Sequence, residues 1–227
     1  GTNISAMQVS RAAKMLDEEL EAWRNRPLGE TPYLFLDARY EKVRQNGCVR
    51  DAAILIASGV KSDGKRTILG VSLSLSEAEE HWRTFLESLK ARGLSGVQLI
   101  VSDDHAGLKA ARKAFLTGIL WQRCLFHLQQ NAQSYVPRKS MQKRVAADIR
   151  MIYNAPSREK AEMYLAEIVQ KYAQIAPKLA DWMEVNLPEG FSFFAFPVAH
   201  WKRIRTSNCL ERVSQEIKRR TRVVRVF

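Results

Sequence analysis

The sequence predicts a mixed α/β fold in which three antiparallel strands are followed by two parallel strands, with helices on the faces of the sheet. Three apolar runs separated by short turn sequences occupy residues 33–74. Two further apolar runs, at 97–102 and 118–123, alternate with helical periodicity, which is typical of strands that pair in parallel. Residues 125–187 show helical apolar spacing and no convincing strand, so a helical block is inserted before the last helix.

The first element is an amphipathic helix over residues 3–24, which Pro27 and Gly29 end. Its apolar side chains fall mostly on one stripe, and two interpretations stay open. The helix either bridges to a domain that precedes this chain or packs on the core of this one.

The sheet region has turn signals between its strands. Asn46-Gly47 predicts a tight hairpin, and residues 62–65 predict the second turn. Ser76 with Glu79 resembles a capping box that opens a helix. The predicted elements are strands at 33–40, 48–60 and 67–74, a helix from 76 to 92, a strand at 97–102, a helix at 105–116 and a strand at 118–123.

The C-terminal half is predicted to be helical up to an irregular aromatic segment at 191–196, with breaks near Pro137, Pro156 and Pro177. A last helix follows at 207–220. We therefore predict an N-terminal helix and linker at 1–29, a core made of 30–124 and 200–227, and a helical insertion at 125–199.

Composition narrows the class of partner. The chain carries a net charge of +12 with a pI of about 9.8, which favours a polyanion as partner. Nine Lys or Arg against two Glu lie in residues 200–227, so a net +7 surrounds the last helix. Three cysteines, an odd number, favour a reducing compartment over a disulfide framework. No apolar run is long enough to span a membrane and no signal peptide is expected.

Three carboxylates stand out as candidates for chemistry. Asp37 ends the apolar run 33–36, Asp103 follows the run 97–101, and Glu211 lies in the first turn of the basic last helix. A carboxylate beside apolar strands is costly unless a cation meets it, and three together would suit divalent metal ions. Two such metals are the usual machinery for in-line attack on a phosphodiester.

Each carboxylate also has an ordinary explanation. A lone Asp37 could cap a turn, although the strand pattern continues beyond it. One of Asp103 and Asp104 is expected to cap the following helix, and Asp104 is better placed for that, which leaves Asp103 as the ligand. Asn208 and Glu211 have capping-box spacing, which alone would account for both.

The motif Cys124-Leu125-Phe126-His127 is a C-x-x-H, but zinc would need two more ligands and no second such motif exists. A buried pair beside the candidate site is the better interpretation. No P-loop, dinucleotide fingerprint or nucleophile elbow occurs, which argues against those enzyme classes.

Four segments in order resemble the catalytic domain of Mutator-superfamily insertion-sequence transposases, over about residues 30–227. The matching segments are Tyr33-Leu34-Phe35-Leu36-Asp37-Ala38-Arg39-Tyr40, Val101-Ser102-Asp103-Asp104-His105-Ala106-Gly107-Leu108, Trp121-Gln122-Arg123-Cys124-Leu125-Phe126-His127, and Arg205-Thr206-Ser207-Asn208-Cys209-Leu210-Glu211-Arg212 with its basic continuation 218–222.

The resemblance implies an RNase H-like fold with a helical insertion and a DDE triad of Asp37, Asp103 and Glu211. The triad would hold two Mg²⁺ ions, with Mn²⁺ as a substitute, and cleave and transfer DNA strands at terminal inverted repeats. Its partners would be those repeats and target DNA, in a homodimer or higher oligomer and without a membrane, in the bacterial cytoplasm at the nucleoid.

Two further roles are expected around the triad. His127 would orient a carboxylate or a DNA phosphate, with Cys124 packed behind it; alternatively both simply pack the junction with the insertion. The basic side chains expected on DNA phosphates are Arg205, Arg212, Lys218, Arg219 and Arg222.

Two rival functions share part of this pattern. An RNase H-like nuclease or junction resolvase would use the same triad without needing the insertion or the C-x-x-H. A non-catalytic DNA-binding module would keep the basic helix without needing acids at positions 37, 103 and 211.

Overall fold

A computed structural model of the chain describes residues 5–224, without the side chains of residues 45, 208–209 and 221–224. The strands are β1 (Tyr33–Gln45), β2 (Cys48–Val60), β3 (Arg66–Ser74), β4 (Leu99–Ser102) and β5 (Leu120–Arg123). The helices are α1 (Ala6–Asn25), α2 (Glu79–Ala91), α3 (Ala106–Phe115), α4 (Leu125–Gln133), α5 (Gln142–Tyr153), α6 (Arg158–Ala173), α7 (Pro177–Asn186), α8 (Val198–Ile204) and α9 (Asn208–Val224), with short 3-10 turns at Lys139–Met141, Leu187–Gly190 and Ser192–Ala195.

The five strands form one mixed sheet in the order β3-β2-β1-β4-β5. β1, β2 and β3 pair antiparallel, whereas β4 pairs parallel to β1 and β5 parallel to β4. The predicted mixed sheet with helices on its faces is therefore confirmed. The Asn46-Gly47 hairpin has positive φ at both residues (50° and 79°), as a tight primed turn requires. β1 runs on to this turn and is five residues longer than predicted.

Alternate residues of β1 face two separate apolar clusters. Leu34 and Leu36 pack with α2 and α3 on one face of the sheet. Tyr33 and Phe35 pack on the other face with the helices of the insertion and with Leu210 of α9. The second cluster runs from the sheet into α4–α7 without a break. The residues of β1 that share the Tyr33 face therefore look towards the insertion and the last helix.

Two predicted helix caps are wrong. α2 begins at Glu79 after Ala78, with no side-chain cap, and the Ser76 hydroxyl instead accepts from the backbone N–H of Ala78 at 3.3 Å. α3 begins after His105, also without a side-chain cap. Asp104 caps nothing, because ion pairs with Lys109 and Arg123 draw its carboxylate away from the helix start.

α1 has no buried residue, and Leu16 keeps 60% and Leu20 49% of their surface exposed. Its N-terminus is capped by Ser5, which forms a capping box with Gln8. The position of α1 is therefore not fixed by packing on the core of this chain. None of the described helices is long and apolar enough to cross a membrane.

Candidate active site

The sheet register brings the two aspartates side by side. β1 and β4 pair in parallel with Tyr33 opposite Leu99 and Phe35 opposite Val101. Continuing that register by two residues places Asp37 opposite Asp103, on the Tyr33 face of the sheet. The β4–β5 register, continued in the same way, places Cys124 next in the row. Asp103 and Cys124 directly follow β4 and β5, and the Cys124 N–H donates to the Ser102 carbonyl at 2.8 Å, so the extended register lines up Asp37, Asp103 and Cys124 on the face that packs against α4–α7.

Asp37 carries the strongest electrostatic signature of the row. Burial raises its pKa, and the charges on Asp103 and Glu211 raise it further, to about 6. The positive charge of His127 and a hydrogen bond from the Ala38 backbone N–H, 3.0 Å long, oppose the rise. Asp37 is thus a buried carboxylate near two other acids and His127, and burial is the largest cause of its raised pKa.

Asp103 and Asp104 have different surroundings. Asp104 pairs with Lys109 at 2.8 Å and with Arg123 Nη1 at 3.5 Å. Asp103 has Arg123 Nε at 3.8 Å as its ion-pair partner. Each aspartate has a buried Oδ1 without a hydrogen bond among the described residues, but that of Asp104 is met by the Lys109 ammonium. Of the pair, Asp103 is the one whose charge acts on Asp37.

Glu211 reaches the same region from α9. Leu210 is fully buried in the cluster that covers this face of the sheet, and Arg39 of β1 donates to the Ser214 carbonyl of α9 at 2.9 Å. Burial raises the pKa of Glu211, partly offset by His127. Its Oε1 is buried with no hydrogen-bond partner in the described part of the chain. The backbone N–H of Glu211 bonds the Ser207 carbonyl, while the predicted cap side chain of Asn208 lies outside the described residues.

Cys124 and His127 lie one helical turn apart at the start of α4 and interact directly. Burial opposes a charge on the imidazole, but the hydrogen bond and charge of Cys124, with the charges of Asp103 and Asp37, raise the pKa of His127 to about 9. Burial raises the pKa of the Cys124 thiol, but hydrogen bonds with His127 and Ser207 outweigh it and lower that pKa. These interactions favour the charged form of His127, beside both aspartates.

Sequence reasoning gave no role to Arg123, although it lies inside a motif that we quoted. Its side chain is 6% exposed and donates to Glu189 at 2.9 Å and Asn186 at 3.0 Å, both in the insertion. The same guanidinium pairs with Asp103 and Asp104. Arg123 thus connects the end of β4 with the insertion. Only its position before Cys124 could have signalled this.

Glu77 was also missed by sequence reasoning. It lies in the loop before α2, with its carboxylate 3.7 Å from the His105 imidazole. Burial raises its pKa, His105 lowers it, and the charge on Asp103 raises it. Glu77 is thus a fourth acid near the candidate site, and a lone Glu in a loop carries no local signal of that.

The basic side chains predicted to contact DNA differ in their surroundings. Arg212 is exposed, and Arg219 is exposed with an ion pair to Glu216 at 2.8 Å. Arg205 donates to the Tyr153 carbonyl at 2.7 Å and to the Asn154 side chain at 3.0 Å, so it fastens the segment before α9 to the insertion. Lys218 is exposed, and the side chain of Arg222 lies outside the described residues.

No group of three or more His, Cys, Asp or Glu side chains between residues 5 and 224, where described, lies close enough to enclose a metal ion. The acids therefore share a region and an electrostatic field without forming a closed cage.

The chain has clear relatives. The family model "Transposase, Mutator family" matches residues 1–227. The transposase of insertion sequence element IS406 from Burkholderia multivorans is 57% identical over 99% of the chain and 58% of that relative. The transposase of ISRM5 from Rhizobium meliloti is 42% identical over 100% of the chain and 57% of that relative.

The chain spans a little more than half the length of these curated relatives. Among solved structures, the HTLV-2 integrase catalytic core domain in complex with magnesium aligns with 71% of the chain and 86% of its own, at 10% identity. Its TM-score of 0.28 is too low to bear on the fold. The family match over the full length and the two transposase relatives establish that the chain belongs to the Mutator family of transposases.

Proposed function

We propose that this chain is the catalytic domain of a DNA transposase with an RNase H-like fold, in which Asp37, Asp103 and Glu211 form a DDE triad. The triad would serve metal-dependent phosphodiester hydrolysis and strand transfer at the inverted repeats of its element. The observation that supports the proposal is the convergence of three acids: the strand register carries Asp37 towards Asp103, Leu210 of α9 packs on the same face of the sheet, and the charges of Asp103 and Glu211 both act on Asp37. The rise of the Asp37 pKa to about 6 comes chiefly from burial, and a bound cation would offset that cost.

The donor chemistry fits hard divalent cations. Mg²⁺ and Mn²⁺ prefer carboxylate oxygens, and Asp103 and Glu211 each bury an oxygen without a hydrogen-bond partner in the described part of the chain. Asp37, Asp103 and Glu211 would hold the metal, two ions in all. When bound, the metal would supply activation of the attacking oxygen and stabilisation of the leaving oxygen. Small side-chain movements would be needed to close the site around it.

The residues around the triad would orient its carboxylates and place the DNA phosphates near them. His127, beside Asp37 and Asp103, would orient a carboxylate or a DNA phosphate, and Cys124 would fix the imidazole. Arg123 would hold Asp103 at the strand end through its bonds to the insertion. Arg212, Lys218, Arg219 and Arg222 of α9 would place DNA phosphates near Glu211, with Arg205 securing the helix start.

The partners follow from the reaction. They would be terminal inverted repeats and target DNA, in a homodimer or higher oligomer at the bacterial nucleoid.

A cleavage assay tests the proposal. DNA carrying inverted repeats is incubated with Mg²⁺ or Mn²⁺ and with Asp37→Asn, Asp103→Asn or Glu211→Gln. Each variant should lose at least about 100-fold in cleavage, because removing one charge from a metal site disables it. Glu216→Gln is the matched control, since this acid lies on α9 but pairs with Arg219 at the surface. Equal cleavage by Glu211→Gln and Glu216→Gln would contradict the triad.

A further inference from the structure

A cleft of about 600 Å³ lies at the start of β1, four residues along the strand from Asp37. Its lining comes from four separate parts of the chain: the segment around Tyr33, the β2–β3 turn with its flanking strand ends, Gln98 before β4, and α8. Its lining includes Lys61, Arg66 and Arg203 and no acidic residue.

The cations of the cleft differ in how they are held. Arg66 is fixed, since its guanidinium donates to the Arg203 carbonyl at 2.9 Å and stacks over the Phe35 ring at 4.6 Å. Lys61 and the Arg203 side chain have no acidic partner within the described residues. Asp63, the acid of the neighbouring turn, pairs with the Lys65 ammonium and accepts a hydrogen bond from the Lys65 backbone N–H. The cleft therefore has net positive charge that the protein does not neutralise.

The neutral groups of the cleft are hydrogen-bonding groups. The Tyr33 hydroxyl lies 2.7 Å from Nδ1 of His200 and packs edge-on against the imidazole. Burial raises the pKa of Tyr33, so its hydroxyl stays protonated at neutral pH. When Tyr33 donates to Nδ1, a neutral His200 carries its proton on Nε2, where it is a donor. Together with the exposed Gln98 amide, the cleft presents donors suited to phosphate oxygens.

Tyr33 and Asp37 lie on one face of β1, about 13 Å apart along the strand at about 3.3 Å per residue. The buried Phe35 and the cluster around it lie between them, so a DNA strand that met both would pass around this cluster. The volume of the cleft is in the range of pockets that enclose a small molecule and exceeds what one phosphate needs.

We propose that this cleft binds the phosphate backbone of the DNA strand being processed, away from the phosphodiester at Asp37. Lys61, Arg66 and Arg203 would meet the phosphate charge, and Tyr33, His200 and Gln98 would hydrogen-bond it. The proposal rests on the proposed function, because it assumes that the same strand occupies the triad. Positioning of this kind is independent of base sequence.

DNA binding tests the site apart from cleavage. Binding of labelled duplex and single-stranded oligonucleotides to the 227-residue chain is measured by fluorescence anisotropy, without divalent metal and over a series of salt concentrations. Lys61→Ala with Arg203→Ala should weaken binding to all sequences alike and lower the log–log salt slope by about 2 for duplex, at about 0.9 per phosphate contact. The matched control, Lys65→Ala with Lys202→Ala, removes two neighbouring cations that do not line the cleft.

A charge-neutral substitution separates the cleft from general surface charge. Gln98→Trp fills the cleft without altering net charge and should weaken binding roughly tenfold, whereas Gln174→Trp at an exposed position outside it should not. Thermal melting of each variant confirms folding. Equal losses in the two double variants, or unchanged binding by Gln98→Trp, would overturn the site. If wild-type protein cleaves DNA in that case, the proposed function stands while this site fails.

Discussion

Asp37→Asn should stabilise the protein in the absence of metal. The carboxylate has a pKa of about 6 in the folded chain against an ordinary 3.8. At about 1.4 kcal/mol per pKa unit, the difference corresponds to at most about 3 kcal/mol at neutral pH. Water that still reaches this partly buried group reduces the effect. The Asn side chain keeps an oxygen that can accept from the Ala38 N–H, so the substitution removes charge and little else.

The pH dependence of this effect has a definite sign. A folded pKa above the unfolded one means that the folded state takes up a proton first as pH falls. The wild-type carboxylate therefore costs nothing near pH 3, and its cost grows as pH rises through about 4 to 6. The difference in unfolding free energy between Asp37→Asn and wild type should accordingly be small at pH 4 and reach its full size by pH 7.

Urea unfolding at pH 4 and pH 7 with EDTA measures this difference in unfolding free energy. Repeating the measurement with Mg²⁺ tests whether metal stabilises wild type more than the variant. Metal that binds only the folded state should stabilise wild type and act less on Asp37→Asn. Asp17→Asn on exposed α1 is the control and should stay within about 0.5 kcal/mol of wild type at both pH values. A variant that is less stable than wild type at pH 7, or a difference independent of pH, would refute the account of Asp37 as a repelled, buried acid.

Three other predictions concern the surroundings of the triad. His127→Ala should reduce strand cleavage by the folded fraction about 10–100-fold, and it should also lower the melting temperature because the folded state favours the charged imidazole; unchanged activity of the folded fraction would mean that His127 only packs the junction. Arg219→Ala should weaken DNA binding for many sequences alike and lower the salt slope by about 1, as read by anisotropy; a loss confined to one sequence would contradict this. Gly107→Ala should lower unfolding free energy by about 1–3 kcal/mol or more, because its Cβ would lie 2.1 Å from the Glu77 carbonyl oxygen; a tolerated alanine would show that the loop before α2 shifts freely.

The strands could be predicted because each is a local pattern. Apolar runs bounded by turn residues identify β1 to β5, and Asn46-Gly47 sets the first hairpin. The sequence did not predict that β1 pairs with β4, and the register of that pair, extended by two residues, is what aligns Asp37 with Asp103. These two candidates could be found from sequence because strand periodicity carries over long distances.

The starts of α2 and α3 and the polar partners could not be predicted, because they depend on contacts between distant residues. Asp104 has good capping chemistry, but Lys109 and Arg123 compete for its carboxylate. Arg123 donates to Glu189, which lies 66 residues away in sequence, and no local sequence pattern indicates that bond. Assignment of Asp103 rather than Asp104 as the ligand stays a prediction, and the ion pairs of Asp104 give it a physical reason.

The insertion begins and ends at one junction, and that junction determines where Glu211 lies. The Leu125 N–H donates to the Arg205 carbonyl at 3.0 Å, and Cys124 Sγ lies 3.2 Å from the Ser207 hydroxyl, although 83 residues separate Cys124 from Ser207. Because Ser207 directly precedes α9, these bonds fix the start of that helix beside the end of β5. The position of Glu211 relative to the sheet thus depends on the closed base of the insertion more than on the arrangement of its outer helices. Cys124 serves both ends of this arrangement, since the same thiol also holds His127 against the two aspartates.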